Sequence, residues 1–531
     1  MAFSNRITRS RRTYNKWVAN ETKEDFALRF TAQKARKWSI SRIANTAIGA
    51  VSFLALEAIG GSLMLSYGFS TALAAILTTS FVICLLGIPI SYNCAKYGVD
   101  IDLLTRGSGF GYLGSTITSL IYASFTFIFF AIEAAIMATA LEVCFSIPLS
   151  IGYLISTLIF IPLVTHGISL INKLQAWTQP IWVVLQLLPF IFVTIYSAQA
   201  QSGWESYTGL LGPVDGSISL VHFGAASAVL FSLTAQIGEQ VDYLRFLPAK
   251  TEENKYRWWF GLLAAGPGWI IFGALKVIAG CFLAYFAFRS GIGFEQSSEP
   301  TNMYLAAYGS AFNNPGVVLG ITGIFIVICQ IKINVTNTYA GSIAWSNFFS
   351  RLTHSHPGRV VWVIFNVIIG LLLVELGAYR ALEKILSLYS IVAVAWLATI
   401  VSDLIINKPL GLAPKGIEFK RAYLYDINPV GIGATIGASM LSLMSYFGFF
   451  GDTAEALYAY IALVVPFLLS PLIAYYTKGK YYLARQPDDF SQDKHTLNTA
   501  KVHKHNPECD CSICQFNFEI DDMVHCPHYG A

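Results

Sequence analysis

Three ionisable side chains lie deep inside apolar stretches of this chain: Glu57, Glu133 and Lys332. A charge at the centre of a lipid bilayer costs at least about 2.5–3.5 kcal/mol, so such residues usually face a polar cavity or a partner. Two roles are open. These groups bind a polar solute or an ion, or they form buried ion pairs in which Glu57 or Glu133 meets Lys332 or Lys276.

Glu133 follows Phe129 by four residues, in the stretch FTFIFFAIEAAIMATA. On a helix this spacing puts the ring and the carboxylate on one face. A flat heterocycle would stack on the ring, and its polar edge would meet the carboxylate. The pair therefore favours a site for a planar, polar solute, with the buried ion pair as the alternative.

Asparagines recur in another apolar segment, GIFIVICQIKINVTNTYAGS. Asn334 and Asn337 share a helix face, whereas Lys332 lies about 160° from Asn334. An asparagine amide offers a donor and an acceptor, as needed to bind a heterocycle edge or to ligate a cation through its oxygen. Thr336 and Thr338 add hydroxyl ligands for a hard cation. Hydrogen bonding between helices is the alternative.

Two segments carry glycine and polar residues near their middle. These are Gly49, Ser52, Glu57, Gly60 and Gly61 in the first segment, and Gln236, Gly238, Glu239, Gln240 and Asp242 in the sixth. Lipid cannot satisfy freed backbone groups, so broken helices line polar cavities. Breaks in the first helix of each five-helix half point to a transporter built from inverted repeats. Close helix packing at glycine is the alternative.

The elements that must position these residues are membrane helices. Of 531 residues, 55% are hydrophobic and 12% are charged, about half the charge of a soluble domain. This composition excludes a disordered chain, a nucleic-acid-binding domain and an ordinary soluble enzyme. Apolar segments long enough to cross a bilayer fall at about 43–67, 70–94, 113–144, 149–169, 176–198, 221–246, 258–288, 316–341, 360–379, 382–406, 430–451 and 456–477. We expect an all-α polytopic membrane protein with about twelve spans.

The distribution of Lys and Arg predicts the orientation. With both termini cytoplasmic, thirty of the 35 lie on the cytoplasmic side, three lie opposite, and Lys276 and Lys332 fall inside segments. Cytoplasmic loops carry such an excess. We expect a cytoplasmic N-terminal region over 1–40, a transmembrane domain over 41–478 and a cytoplasmic tail over 479–531. The expected location is the cell membrane, namely the inner membrane of a bacterium.

Four cysteines crowd into the last 23 residues of the tail: Cys509, Cys511, Cys514 and Cys526. Thiols in a cytosolic tail stay reduced, and four thiolate or imidazole ligands suit zinc. The tail therefore predicts a zinc site, with a disordered tail of inert thiols as the alternative. A Cys-rich module after a basic linker also suggests a cytoplasmic signalling partner.

Several sequence segments resemble those of the nucleobase–cation symporter family of hydantoin, allantoin, cytosine, uracil and purine permeases. They are LLTRGSGFGYLGS, LQAWTQP, VDYLRFLP and QIKINVTNTYAGSIAWSNFFSRLTHSHPGR, and the resemblance covers about residues 25–480. It implies a leucine-transporter-like fold with a 5+5 inverted repeat and two extra helices. Substrate would lie between helices one, three, six and eight, and a cation between helices one and eight.

The resemblance also implies roles for individual residues. Phe129 and Glu133 fall where relatives place a stacking aromatic and a hydrogen-bonding amide, and Asn334 or Asn337 falls where they place an asparagine that meets substrate. The second stacking position falls near Leu233, where Phe231 is the nearest ring. In helix eight, Lys332 lies close to the positions where sodium-coupled relatives have small hydroxyl residues. Its ammonium could therefore replace sodium. Sodium coupling, proton coupling and no coupling stay open.

These observations together predict a secondary transporter that imports a nucleobase-like, hydantoin-like or allantoin-like heterocycle by alternating access, and not an enzyme. The expected substrate-binding residues are Phe129, Glu133, Phe231, Gln236, Gln240, Asn334 and Asn337. The expected cation-coupling residues are Ser52, Glu57, Lys332 and Thr336. The expected partners are a small heterocycle and the lipid bilayer, without nucleic acid. The alternative is a transporter-like sensor whose ligand occupancy is transmitted through the tail.

Overall fold

The structure is a computed structural model that describes residues 36–197, 202–353 and 356–484, together with residues 23, 25, 27, 28, 30 and 31. The described part of the chain is built of helices. Those up to residue 244 are α1 (Ile40–Gly49), α2 (Ala55–Tyr67), α3 (Phe69–Tyr97), α4 (Ile101–Thr105), α5 (Ser115–Phe145), α6 (Leu149–Leu158), α7 (Phe160–Thr165), α8 (Gly167–Tyr196), α9 (Leu220–Phe231) and α10 (Gln236–Leu244).

The second part of the chain continues the same architecture. Its helices are α11 (Lys255–Ala265), α12 (Trp269–Arg289), α13 (Phe294–Ser297), α14 (Pro300–Gly309), α15 (Pro315–Thr353), α16 (Arg359–Glu375), α17 (Leu382–Ser402), α18 (Pro429–Tyr446), α19 (Asp452–Ala456) and α20 (Tyr458–Tyr476). Each of the twelve predicted apolar segments therefore contains at least one helix.

Eight helical stretches among the described residues are long and apolar enough to cross a membrane, or nine if the bent pair α1–α2 is one span. The eight are α3, α5, α8, α9 with α10, α11 with α12, α15, α17 with the turn that follows it, and α20. The other predicted segments hold α6 with α7, α16 and α18. The all-helical, multi-pass architecture is thus confirmed, while the count of twelve spans stays a prediction.

The core of the bundle lies around α5, α10 and α17. Between 72% and 78% of the residues in the most apolar stretches of α5, α9–α10 and α17 are buried, against 22% in α8. Helix α15 packs along α5, and α12 packs along α2. These two helix pairs position Glu133 on α5 and Lys276 on α12.

Candidate functional site around the broken first span

The first predicted span is broken at Phe53 and Leu54. Helix α1 continues through a 3₁₀ turn to Ser52, Phe53 is extended (φ −62°, ψ 137°), and α2 begins at Ala55. The two halves are bent by 44°. The break is therefore confirmed, and it frees backbone groups that the protein itself must satisfy.

Gly60 and Gly61 lie inside α2, after the break. A methyl group on Gly60 would lie 1.9 Å from the carbonyl oxygen of Val277 on α12. On Gly61 it would lie 2.5 Å from the side chain of Met303. These glycines allow close helix packing, which is the alternative that the sequence had left open.

Glu133 on α5 caps the second half of the broken span. Its Oε1 accepts from the backbone nitrogen of Ala55 at 2.9 Å, and its Oε2 accepts from that of Leu54 at 3.1 Å. The side chain is fully buried. A carboxylate is favourable at a helix N-terminus, where backbone N–H groups point outward and the helix dipole is positive.

Phe129 reaches the same break. Its ring meets the ring of Phe53 edge-on, with centroids 6.0 Å apart at 88°, and lies 4.7 Å from the ring of Phe125. Phe129 and Glu133 thus share a helix face, as their spacing predicts. The two residues form one wall at the break, and their part in binding a solute stays a prediction.

An ammonium group from α12 lies at the carbonyl end of the first half-helix. Nζ of Lys276 on α12 lies 3.0 Å from the oxygen of Ser52 and 3.0 Å from Oε1 of Glu57. It also donates to Oε1 of Gln186 on α8 at 3.3 Å. Of the ion pairs that the sequence left open, the one with Glu57 and Lys276 is present, and it is buried.

Neutral groups complete this ion pair. Oε1 of Glu57 also accepts from the hydroxyl of Tyr304 at 3.1 Å and from Nε2 of Gln186 at 3.2 Å. Such further hydrogen bonds offset part of the cost of burying an ion pair, although Oε2 of Glu57 is buried without a partner among the described residues. Neither Gln186 nor Tyr304 was expected from sequence, since nothing in the chain marks them as partners of Glu57.

Lys332 on α15 contacts α8, and its predicted part in cation coupling stays a prediction. Its Nζ donates to Oε1 of Gln175 at 2.5 Å and to Oε1 of Gln179 at 2.8 Å, both on α8. The ammonium that donates to the oxygen of Ser52 is that of Lys276. Lys332 links α15 to α8, because Nε2 of Gln175 also donates to the Lys332 carbonyl at 2.9 Å.

Helix α15 meets the break through other groups. The hydroxyl of Ser52 donates to the carbonyl oxygen of Cys329 at 3.2 Å. The first span and α15 therefore meet where the sequence predicts a cation site. The hydroxyl of Thr336 donates to the carbonyl of Ile333 within the same helix at 2.6 Å, so its predicted role as a cation ligand stays a prediction.

The two asparagines share a face, as predicted. Nδ2 of Asn337 donates to Oδ1 of Asn334 at 3.1 Å, and Nδ2 of Asn334 donates to the carbonyl of Phe130 on α5 at 3.3 Å. Oδ1 of Asn337 is buried and has no hydrogen-bond partner among the described residues. This oxygen is an acceptor that a bound solute could use.

The sixth predicted segment is interrupted upstream of its glycine. A 3₁₀ turn at Ser232–Ala235 separates α9 from α10, and α9–α10 remain one span. Gly238 lies inside α10, where a methyl group would be 2.7 Å from the ring of Tyr122. Gly238 therefore packs against α5 and does not break the helix.

The polar residues of α10 face inward. In the amide orientation that satisfies both ends, Gln240 donates to the carbonyls of Ala47 (3.0 Å) and Ala265 (2.8 Å) and accepts from Nε2 of Gln236 (3.2 Å). The carboxylate of Glu239 is fully buried, and the side chains of Thr336 and Gln236 lie near it. Glu239 is thus a second buried acceptor, which the expected substrate-binding set did not include.

Phe231 packs in a different direction from the one expected. Its ring meets that of Tyr460 on α20 edge-on, with centroids 5.1 Å apart at 84°. Stacking of a solute by Phe231 stays a prediction, and this contact with α20 does not support it.

A vestibule of about 800 Å³ opens next to the second half of the broken span. Its lining residues are Ala58, Ser62, Leu65, Ser66, Phe294, Glu295, Ser298, Tyr379, Ala381, Leu382, Glu383 and Lys384. Ala58 lies one turn from the capped start of α2, so one edge of the vestibule lies near the break.

The other end of the bundle is closed by buried charged residues. Arg245 lies 3.5 Å from a carboxylate oxygen of Asp100 and donates to the backbone oxygen of Asp25 at 3.1 Å. Arg359 donates to the hydroxyl of Ser342 at 3.2 Å. Because Arg359 begins α16 and the vestibule residues 379–384 follow its end, the two features lie at opposite ends of the bundle.

Two aspartates of this closed end lie outside the spans. Burial raises the pKa of Asp25, against the lowering effect of Arg359 and Arg245. Burial also raises the pKa of Asp102 to about 7, although Arg351 opposes the shift. The predicted metal ligands Cys509, Cys511, Cys514 and Cys526 lie outside the described residues.

The broken first span, the packed α5 and α15 and the multi-pass helical architecture define a leucine-transporter-like fold. Comparison with solved structures bears this out. Mhp1, a nucleobase-cation-symport-1 family transporter, is similar in its closed conformation with bromovinylhydantoin bound, at a TM-score of 0.64 and 14% identity over 88% of this chain and 98% of that chain. The inward-facing conformation of Mhp1 is similar at a TM-score of 0.63 and 14% identity, over 93% of this chain and 99% of that chain.

A substrate-bound, outward-open Na⁺-coupled sialic acid symporter has the same fold, with a TM-score of 0.57 and 11% identity over 87% of this chain and 93% of that chain. No family model matches the sequence, and no curated protein matches it. These similarities confirm the fold that the resemblance implies.

Proposed function

We propose that this chain is a secondary active transporter that moves a small nucleobase-like or hydantoin-like heterocycle by alternating access. The observation that carries the proposal is the 44° break in the first span, whose freed backbone groups are held by Glu133 and Lys276. Broken helices of this kind form solute and ion sites in transporters. The fold shared with a hydantoin-bound transporter supports the same conclusion.

The solute would lie against the wall of Phe129 and Phe53 and meet the unpartnered oxygen of Asn337 and the buried carboxylate of Glu239. An unsatisfied buried acceptor costs about 1–3 kcal/mol, so a ligand that brings N–H donors gains by pairing with these oxygens. Hydantoins and nucleobases present such donors at the edge of a flat ring. Gln236 lies next to Glu239 on α10 and supplies further amide groups.

Access would alternate between the vestibule and the end closed by buried arginines. In the present conformation the solute enters through the vestibule beside Ala58. Release at the other end requires Arg245 and Arg359 to exchange their buried partners, so that α10 and α16 can separate from the chain around Asp25. The proposal includes coupling to Na⁺ or to protons.

Uptake by the purified protein in liposomes tests this function. A panel of radiolabelled hydantoins, allantoin, purines and pyrimidines is applied outside, with protein-free liposomes as the control. We expect saturable accumulation of at least one heterocycle. Binding without accumulation would contradict transport and favour the sensor, and the structural neighbours, which are transporters, are consistent with a protein that is not an enzyme.

A further inference from the structure

The carbonyl end of the first half-helix has the properties of a cation site. The C-terminal end of a helix carries partial negative charge, and such ends coordinate ions in transporters with broken helices. Here the oxygens of Ser52, Glu57 and Gln186 converge from the first span and α8. A carbonyl, a carboxylate and an amide oxygen are ligands that hard cations prefer.

We propose that the ammonium of Lys276 is the resident cation of this site and takes the place of an inorganic ion. It lies 3.0 Å from Ser52 O, 3.0 Å from Glu57 Oε1 and 3.3 Å from Gln186 Oε1. An Na⁺ ion is then not required at the end of the first half-helix. The inference deepens the proposed function, because it assigns the charge beside the break to the chain itself.

The packing of α12 on α2 holds the ammonium in this position. A methyl group on Gly280 would lie 2.2 Å from the backbone oxygen of Glu57, and one on Gly60 would lie 1.9 Å from that of Val277. The two helices therefore approach in one register. That register places Lys276, one turn before Gly280, next to the break.

The second buried lysine does not share this role. Lys332 is held by α8 through Gln175 and Gln179. Its ammonium lies on the ring of Trp182 at 5.5 Å from the centroid, while that of Lys276 lies at 5.7 Å. Lys332 thus provides a matched control, since it is a buried lysine beside the same indole whose ammonium donates to α8 and not to the oxygen of Ser52.

Thermal unfolding of the purified full-length protein tests the inference without any solute. The melting temperature is measured while NaCl replaces choline chloride or KCl at constant ionic strength. A ligand that binds the folded state raises the melting temperature. We expect no Na⁺-selective rise for the wild type or for Lys332→Ala. Lys276→Ala and Lys276→Ser should gain one, because Na⁺ can then enter between the oxygens of Ser52 and Glu57.

A Na⁺-selective rise in the wild type, or no gain in a folded Lys276 variant, would overturn the inference. If both Lys276 variants fail to fold, the wild-type titration decides alone: an Na⁺-selective rise contradicts a resident ammonium and its absence supports one. Because the measurement uses Na⁺ as its only probe, failure of the liposome uptake assay would contradict the proposed function and leave this result unaffected.

Discussion

Oε1 of Glu133 lies 2.9 Å from the backbone nitrogen of Ala55, the first residue of α2. One side chain from α5 thus fixes where the second half of the broken span begins. The same carboxylate lies four residues after Phe129, whose ring touches the break at Phe53. The wall of the proposed solute site and the cap of the half-helix are therefore one structural unit.

Glu133→Gln should destabilise the protein, because an amide can accept at one of the two backbone N–H groups but presents its NH₂ to the other. Loss of a hydrogen bond to a charged group costs about 1.5–3 kcal/mol. The measurement is the melting temperature together with heterocycle uptake. Glu375→Gln, at an exposed position at the end of α16, is the control. Equal, small effects of both substitutions would contradict the capping role.

Glu57→Gln should destabilise strongly, since it leaves the buried ammonium of Lys276 without its carboxylate. Removing one partner of a buried pair costs about 3–5 kcal/mol, whereas removing both costs far less. The double variant Glu57→Gln/Lys276→Met should therefore be more stable than Glu57→Gln alone. Thermal unfolding of the wild type, Glu57→Gln, Lys276→Met and the double variant checks this, and additive losses would mean that the two side chains are not coupled.

Asp102 should give stability a pH dependence. Its carboxylate accepts from the hydroxyl of Ser119 and lies 4.0 Å from Arg351, and Asp100 and Arg106 also act on it. Burial raises its pKa from 3.8 to about 7, so the folded state holds this proton more tightly than the unfolded state. The protonated Asp102 therefore stabilises the folded state at low pH, and this contribution to the free energy of unfolding is lost as pH rises towards 7.

The comparison of wild type with Asp102→Asn isolates this effect. The free energy of unfolding of the wild type should fall relative to that of the variant between about pH 4 and about pH 7, and the difference should stay constant above that range. Thermal unfolding across this range measures it. Asp452→Asn, at an exposed position, should show no such difference, and parallel curves for wild type and Asp102→Asn would refute the prediction.

The vestibule predicts unequal access to the two ends of the bundle. A thiol placed by Ser66→Cys, in the vestibule lining, should react with a membrane-impermeant maleimide above the wild-type background. Ser350→Cys, buried on α15 next to the arginines of the closed end, should not. Labelling rates in liposomes of defined orientation check this, and equal rates would show that the closed end is open in solution.

Much of the fold follows from the sequence, because apolar length and helical spacing are local. The apolar segments, the shared face of Phe129 and Glu133, and that of Asn334 and Asn337 were all predictable. The position of the break was not. Its backbone geometry at Phe53 depends on groups far along the chain, such as Glu133, and the glycines that seemed to mark it serve helix packing instead.

Partners across long sequence distances were equally hidden. Lys276 was visible as a charge within an apolar stretch, but its pairing with Glu57 depends on the register of α12 against α2 at Gly280. Lys332 lies closer in sequence to the predicted cation ligands, yet its side chain turns to α8. Phe231 likewise meets Tyr460, more than two hundred residues away.

The binding role of the break is tested most directly at Asn337, whose Oδ1 is buried without a partner among the described residues. Equilibrium binding of the radiolabelled heterocycle found by the uptake panel is measured for wild type, Asn337→Ala and Asn93→Ala. Asn93 donates within α3 to the carbonyl of Pro89 and serves as the matched control. We predict a Kd at least about tenfold higher for Asn337→Ala alone, equivalent to the loss of one hydrogen bond of about 1.4 kcal/mol. An unchanged Kd in a folded Asn337→Ala protein would contradict a solute site at the break.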